Sequence, residues 1–432
     1  MQAPVAVALI GCGGLAGRYF HAPLLAVNTS FDVRRLVQRT PTINPELACI
    51  APGATYCRTL DDVLADPTIE LVVLATPDDA HYEFGLAALR CGKNVLIDKP
   101  FTVTLRDGEA LLAAAVASGA LCMPFQNRRY DADFLTVAAL LRDGRLGTLT
   151  EYTALFDRFR PEVASTWKEQ DRGSLQNLGP HMIDQAGKWR SLARTRWNKL
   201  VRRSRKRSVS TSNFNARRTS TPIAVFLFGE PTRVWADIAS ARSGGTQDDF
   251  FELHLFYDAT TDTQSCSAVP CRACHAHGIV RPPRKAVLRS SMLVADNAAR
   301  FIVHGDRGSF VKGGLDVQEG ALRSGGVVLP AGPNWGEEPS SAWGRLTLAD
   351  GKGRVLSTEA LASARGRYQA VYEGIAKALR SGDSRPLAAQ EITPAQILAT
   401  LRVMDAAIRS ASASSAVSLT PVSPDLVAAL TR

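Results

Sequence analysis

Residues 5–17, VAVALIGCGGLAG, hold the clearest chemistry in the sequence. An apolar run, Val5 to Ile10, passes straight into Gly11-x-Gly13-x-x-Ala16. Gly11 permits a tight turn out of a strand. Gly13 leaves the backbone bare for a pyrophosphate, and a small Ala16 lets the next helix lie close to the strand. The backbone N–H groups of Gly14 and Leu15 then face the phosphates from a helix N-terminus. Further on, Lys99 follows the apolar run 94–97, a position where a buried chain rarely places a lysine without a use. His181 follows Gly179-Pro180, which reads as a turn. An imidazole titrates near neutral pH and can act as a general base, although a lone histidine is more often structural.

Alternating elements must position these residues. Strands are expected at 5–10, 32–37, 71–75, 94–97 and 120–125, with helical stretches between them. Thr59 and Thr104 read as helix N-caps, each followed by an acid three residues later. Such alternation predicts a parallel sheet with helices on both faces, and ligands bind such sheets at the carboxyl ends of the strands. Polar clusters fall at those ends: Gln38-Arg39-Thr40, Thr76-Pro77-Asp78-Asp79-Ala80-His81, Asp98-Lys99-Pro100 and Gln126-Asn127-Arg128-Arg129. Gly11, Gly13, Gly14, Leu15, Ala16, Arg39, Thr40, Thr76, Pro77, His81, Asp98 and Lys99 are the expected cofactor contacts. A carboxylate near Arg39 would suit the ribose 2′-hydroxyl of NAD. Arg39 suits a 2′-phosphate instead, so NADP is favoured with NAD possible; a solvated loop charge is the alternative.

From Tyr130 the pattern changes. A helix at 131–142 and strands at 148–159, 233–238, 250–257, 287–294 and 300–304 suggest an antiparallel sheet, closed by helices at 368–380 and 394–409. A dinucleotide-binding domain at 1–128 and an α+β domain at 129–420 are therefore expected. Hydrophobic content of 45% and charged content of 21% are ordinary for a globular protein, and no apolar run approaches the ~20 residues of a membrane span. With a strand starting at Val5, no signal peptide is expected. A cytoplasmic setting with eight reduced cysteines follows as an expectation.

The chain is similar to the Gfo/Idh/MocA family of nicotinamide-dependent oxidoreductases. The carrying motifs are GCGGLAG, YFHAPL, ATPDDAHYE, VLIDKPFTVT, FQNRRYDADFLTV, FDRFRPEV and NLGPHMIDQA, followed by SMLVADNAARFIVHGDRGSFVK and LDVQEGAL. The resemblance implies a Rossmann domain followed by an α+β domain with a large, mainly antiparallel open sheet. Its open face would join copies into dimers or tetramers. It implies a dehydrogenase acting on a CH–OH group of a sugar, polyol or related small molecule. The family's Glu-Lys-Pro motif matches Asp98-Lys99-Pro100. Lys99 would position the substrate hydroxyl, and His181 would take its proton. The family's paired aspartate falls on Asn177, which can hydrogen-bond but carries no charge. Arg128, Arg129, Asp157 and Arg158 would line the substrate pocket, or form a solvated or paired charge cluster. A non-catalytic NAD(P)-binding sensor on the same fold is the alternative that Asn177 supports.

Two segments interrupt the pattern. Residues 187–223 contain twelve Lys or Arg and no Asp or Glu, so the formal net charge of +10 becomes −2 without them. The basic excess belongs to this insert and does not mark the whole chain as nucleic-acid-binding. A localisation or RNA-binding arm, a lineage-specific loop and a translated intron compete, and the intron is favoured because Gly-Lys-Trp can be encoded by a splice-donor-like GGT AAG TGG. Residues 261–285 hold Cys266, Cys271, Cys274, His275 and His277. They resemble haem-attachment or zinc spacing, but an insert is preferred and no metal is expected.

Overall fold

The computed structural model describes residues 3–40, 44–163, 172–186, 228, 230–257, 285–296, 299–324, 328–381 and 392–431. The inserts at 187–223 and 261–285 lie outside the described residues, apart from Lys285.

The first sheet has six parallel strands: β1 (Val5–Ile10), β2 (Phe31–Val37), β3 (Thr55–Cys57), β4 (Leu71–Leu74), β5 (Asn94–Ile97) and β6 (Cys122–Pro124). Their order is β3-β2-β1-β4-β5-β6. β1 and β4 are buried along their whole length, as strands covered on both faces must be. Short helices α1 (Ala22–Ala26), α2 (Pro45–Ile50) and α3 (Asp61–Leu64) and longer α4 (Ala80–Arg90) and α5 (Leu105–Ser118) connect them. Thr104 caps α5 by accepting from the Asp107 N–H, and Thr59 and Asp62 bond reciprocally ahead of α3. Because all six strands are parallel, the glycine loop, Thr76, Lys99 and Gln126 share one sheet edge.

The helix after the glycine loop opens as a π-turn at Gly17–His21 before α1. The tight helix–strand contact falls at Gly17 rather than at the expected Ala16. A Cβ on Gly17 would lie 2.5 Å from the Gly11 carbonyl oxygen and 2.7 Å from Cys12 Cα. Gly11 itself has φ of +79°, and a Cβ there would meet the Ala75 carbonyl oxygen at 2.5 Å.

The second unit begins with α6 (Ala132–Arg142). Its nine-stranded sheet contains β7 (Leu149–Leu155), β8 (Arg233–Ala239), β9 (Phe250–Phe256), β10 (Lys285–Ser291), β11 (Phe301–Gly305), β12 (Gly308–Lys312), β13 (Gly344–Ala349), β14 (Val355–Leu361) and β15 (Val417–Ser418). The order is β14-β13-β12-β11-β7-β10-β9-β8-β15, with one parallel pair, β7 and β10. Strands β8 to β12 place one buried set of side chains against α6, α7 (Ser174–Ala186) and α10 (Pro394–Ala413). Trp235, His254, Val287 and Ile302 stand on the other, open face. The expected strand at 148–159 ends at Leu155, but the N–H groups of Phe156, Arg158 and Arg160 continue an extended pairing with 289–292.

The chain's last third returns to the first unit. Helices α8 (Val317–Leu322), α9 (Ala370–Leu379) and α11 (Pro424–Thr431) are the remaining α-helices among the described residues. Leu322, Tyr368, Tyr372, Ile375, Leu398 and Leu426 share one core with β1 and β4. No helix of the described residues is long and apolar enough to cross a membrane.

Gly11→Ala adds strain at a left-handed residue and a backbone clash, and is expected to cost about 1–3 kcal/mol. Gly53→Ala meets nothing within 4 Å and should stay within about 0.5 kcal/mol of the wild type. Urea unfolding of the two variants measures the difference; equal midpoints would refute the close-approach argument.

Candidate active site

Helix α7 presents the central residues. Its start is fixed from outside: the Asp248 carboxylate accepts from the Leu175 N–H at 2.7 Å, and the Asp248 carbonyl accepts from the Ser174 N–H at 2.7 Å. Gly173 makes room, since a Cβ there would lie 1.6 Å from Asp248 Oδ1. His181 does not sit at a turn, as Gly179-Pro180 suggested. Pro180 lies inside the helix, and buried neighbours from Leu178 to Ala186 hold the segment helical despite the missing donor. Asn177 and His181 are therefore one turn apart on the same face.

Lys99, from the end of β5, reaches this face. Its Nζ donates to the Asn177 carbonyl at 3.0 Å and to the Asn177 side-chain oxygen. His181 is buried, and its Nδ1 lies 3.0 Å from Gln126 Oε1. The Gln126 amide nitrogen points at the Pro180 carbonyl, 3.5 Å away, which places its oxygen toward the imidazole. Nδ1 is thus the donor, and Nε2 keeps its lone pair. Burial, followed by the charges of Arg128, Lys99 and Arg300, holds the His181 pKa well below the ordinary histidine value. At neutral pH the ring is an uncharged base. Gln126 was missed as a functional residue in the sequence because nothing in an amide at a strand end announces an imidazole partner.

Asp98 turns to the other side. Its carboxylate lies 3.6 Å from His21 Nε2, and His21 Nδ1 is 2.8 Å from the Tyr372 hydroxyl. Burial would raise the Asp98 pKa, but His21, Lys99 and His81 outweigh it and keep the carboxyl ionised. His81, expected to contact a cofactor, is fully buried. Its ring nitrogens sit 2.8 Å from the Pro100 carbonyl and 3.1 Å from the Thr76 carbonyl, so the side chain clamps two strand ends together.

The four expected substrate residues divide. Arg129 is committed to a buried bidentate pair with Asp184, at 2.7 and 2.6 Å. Asp157 lies on the open-face side beside Arg289, 3.8 Å away, because alternation sends it opposite to Phe156. Neither is available near His181. Arg128 and Arg158 lie together: their guanidinium carbons are 4.8 and 5.1 Å from the centre of the buried Phe156 ring, and Arg128 is paired with Glu319. The Arg128 carbonyl accepts from Gln185, one turn beyond His181, at 2.7 Å.

At the other end of the edge, Gly13, Gly14 and Leu15 are exposed, and so are Arg39 and Thr40. Gln38 is buried beside Cys12 and donates to the Thr40 carbonyl at 3.0 Å. A bare loop flanked by an open arginine fits a nucleotide phosphate group. A cavity of about 160 Å³ lies between residues 100–105 and α10. Gln126 and Pro180 line it but Lys99 and His181 do not, so it lies beside the proton-handling groups.

Family comparison assigns residues 5–126 to an oxidoreductase family with an NAD-binding Rossmann fold, and 134–189 and 223–419 to its C-terminal domains. A Bacillus subtilis scyllo-inositol 2-dehydrogenase (NADP(+)), IolW, is 30% identical over 94% of this chain and 93% of its own. The chain belongs to the Gfo/Idh/MocA oxidoreductases. Escherichia coli YdgJ, an oxidoreductase, is 33% identical over 95% of this chain and 99% of its own. The solved oxidoreductase yvaA of Bacillus subtilis superposes with a TM-score of 0.75 at 28% identity, covering 97% of this chain and 100% of that one. Membership makes this protein a nicotinamide-dependent oxidoreductase, with the Rossmann and mainly antiparallel domains in the expected order. Within this Gfo/Idh/MocA chain the matched segments stop at 189 and resume at 223, on either side of the basic insert.

Asn177→Asp should raise the His181 pKa, because a carboxylate one turn away favours the imidazolium. A proton NMR titration of the ring checks this. The wild-type ring should remain neutral as pH falls past about 6.5, the ordinary value, and the variant should protonate at higher pH than the wild type. Identical titrations would show that residue 177 does not sense the imidazole.

Proposed function

We propose that the protein transfers a hydride between NADP and a CH–OH group, or its carbonyl counterpart, of a sugar, polyol or related small molecule. The observation that carries this reading is Lys99 bonded to Asn177 one turn before His181, on the same sheet edge as the glycine loop. β5 lies two strands from β1, about 10 Å across the edge.

Gly11, Gly13, Gly14, Leu15 and Ala16 would hold the pyrophosphate, Thr76 and Pro77 would border it beyond β4, and Arg39 would pair with a 2′-phosphate. The nicotinamide supplies the hydride acceptor or donor when bound. His181 Nε2 takes the hydroxyl proton during oxidation and returns it during reduction. Lys99 Nζ donates to the same oxygen and steadies its negative charge. Asn177 orients Lys99 by hydrogen bonds, and the ammonium charge acts on the substrate oxygen. The Lys99 charge also makes His181 a weaker base. The NADP and cyclic-polyol name of the Bacillus relative agrees with this assignment. The open sheet face carrying Trp235 and Ile302 would pair copies of the chain.

Fluorescence titration with NADPH and NADH, using the full chain and a chain lacking 187–223, tests the cofactor reading. Tighter NADPH binding in both forms is expected, and Arg39→Ala should reduce that preference by about tenfold or more. Equal affinities in the wild type would remove NADP specificity, and no binding in either form would remove the enzyme as described. With a turned-over polyol, His181→Ala should lower kcat by about 100- to 10,000-fold. Near-wild-type turnover would exclude His181 as the base.

A further inference from the structure

We propose that the substrate carries an acidic group, a carboxylate or a phosphate, and that Arg158 receives it. The proposal rests on the oxidoreductase reading above and adds the charge class of the substrate.

Three guanidiniums surround one buried ring: Arg128, Arg300 and Arg158 lie 4.8, 5.0 and 5.1 Å from the centre of Phe156. Two of them are committed. Arg300 packs 3.4 Å from the Asp133 carboxylate and donates to the Leu155 carbonyl and Gln185. Arg128 pairs with Glu319 and lies 3.5 Å from Asp131. Glu319 also serves Arg323, at 3.0 Å, so its oxygens are divided between two cations. Arg158 makes no salt bridge among the described residues.

The surrounding charge is mostly positive, with the shared Glu319 as the one carboxylate among the described residues acting on Arg158. Burial, then Arg160, Arg128 and Arg323, outweighs the opposing charge of Glu319 and lowers the Arg158 pKa to about 10. It stays protonated at neutral pH, and the nearby Glu319 is held in contact by Arg128 and Arg323 instead. A partly buried guanidinium without a partner has lost hydration that no protein group restores. An anionic group restores it through a bidentate, charge-assisted contact, which a neutral hydroxyl cannot match. Exposed Arg160 extends the cationic surface beyond Arg158.

The test uses the full-length protein saturated with NADPH, following quenching of the bound cofactor's fluorescence. D-gluconate, D-glucose 6-phosphate and neutral D-glucitol serve as probes. At least one acid is expected to bind tenfold or more tightly than glucitol, and which acid it is distinguishes a carboxylate from a phosphate. Arg158→Ala should abolish that preference, and Arg158→Lys should retain part of it, while the NADPH Kd stays unchanged in both. Acids that bind no better than glucitol, or a preference that survives Arg158→Ala, would overturn the proposal while leaving the oxidoreductase reading in place. Failure of NADPH itself to bind the wild type would instead overturn that underlying reading, and this proposal with it.

Discussion

The reach of Lys99 from the first sheet to Asn177 on α7 is the contact on which the candidate site depends. It joins a strand end of one unit to a helix of the other and fixes both partners by hydrogen bonds. Helical spacing then sets His181 beside the lysine, and Gln126 turns its Nε2 outward. The order of dependence runs from Asp248, which holds the start of α7, through Asn177 to the imidazole. A shift of α7 along its axis would break the lysine contact and the glutamine contact together.

The far end of the chain supports the same edge. Tyr372 on α9 bonds His21, and His21 faces Asp98, the neighbour of Lys99. Tyr368 bonds Asp131 at 2.8 Å, beside Arg128. Both tyrosines are fully buried. Residues more than 230 positions away in sequence therefore brace the two strand ends where the chemistry is placed. The returning helices also explain how the two units keep one geometry: Leu398 and Leu401 of α10 join the first core, while Val403 and Ala407 of the same helix join the second.

Much of this was legible because local patterns and sheet topology agree. Strand β5 and the Thr104 cap fall where apolar runs and capping residues put them. Parallel alternation alone puts Lys99, Gln126 and the glycine loop at one edge. The rest depended on partners that no local pattern names. Arg129 and Asp157 share a charge pattern with Arg128 and Arg158, yet Asp184 claims the first and strand alternation turns the second away. His81 looks like a strand-end ligand but is consumed by two carbonyls. Pro180 reads as a helix breaker until the burial of its neighbours is known. Strand β14 is exposed along nearly all its length and has no apolar alternation to reveal it.

Asn177 and the unpaired arginine bear on one electrostatic question. An aspartate at 177 would hold Lys99 as an ion pair and keep His181 basic. The amide keeps the geometry and removes the charge. Arg128, Lys99 and Arg300 then all act on the imidazole in the same direction, and burial adds to them. A neutral substrate entering such a site adds no negative charge to offset them. A substrate that becomes an alkoxide supplies one negative charge where Lys99 waits, and that charge is greatest as the proton leaves. An acidic group at Arg158 supplies a second, permanent one. It would weaken the field that depresses His181 and so strengthen the base when substrate is bound. The missing carboxylate is then no defect in itself, because the charge the protein omits can enter with the substrate.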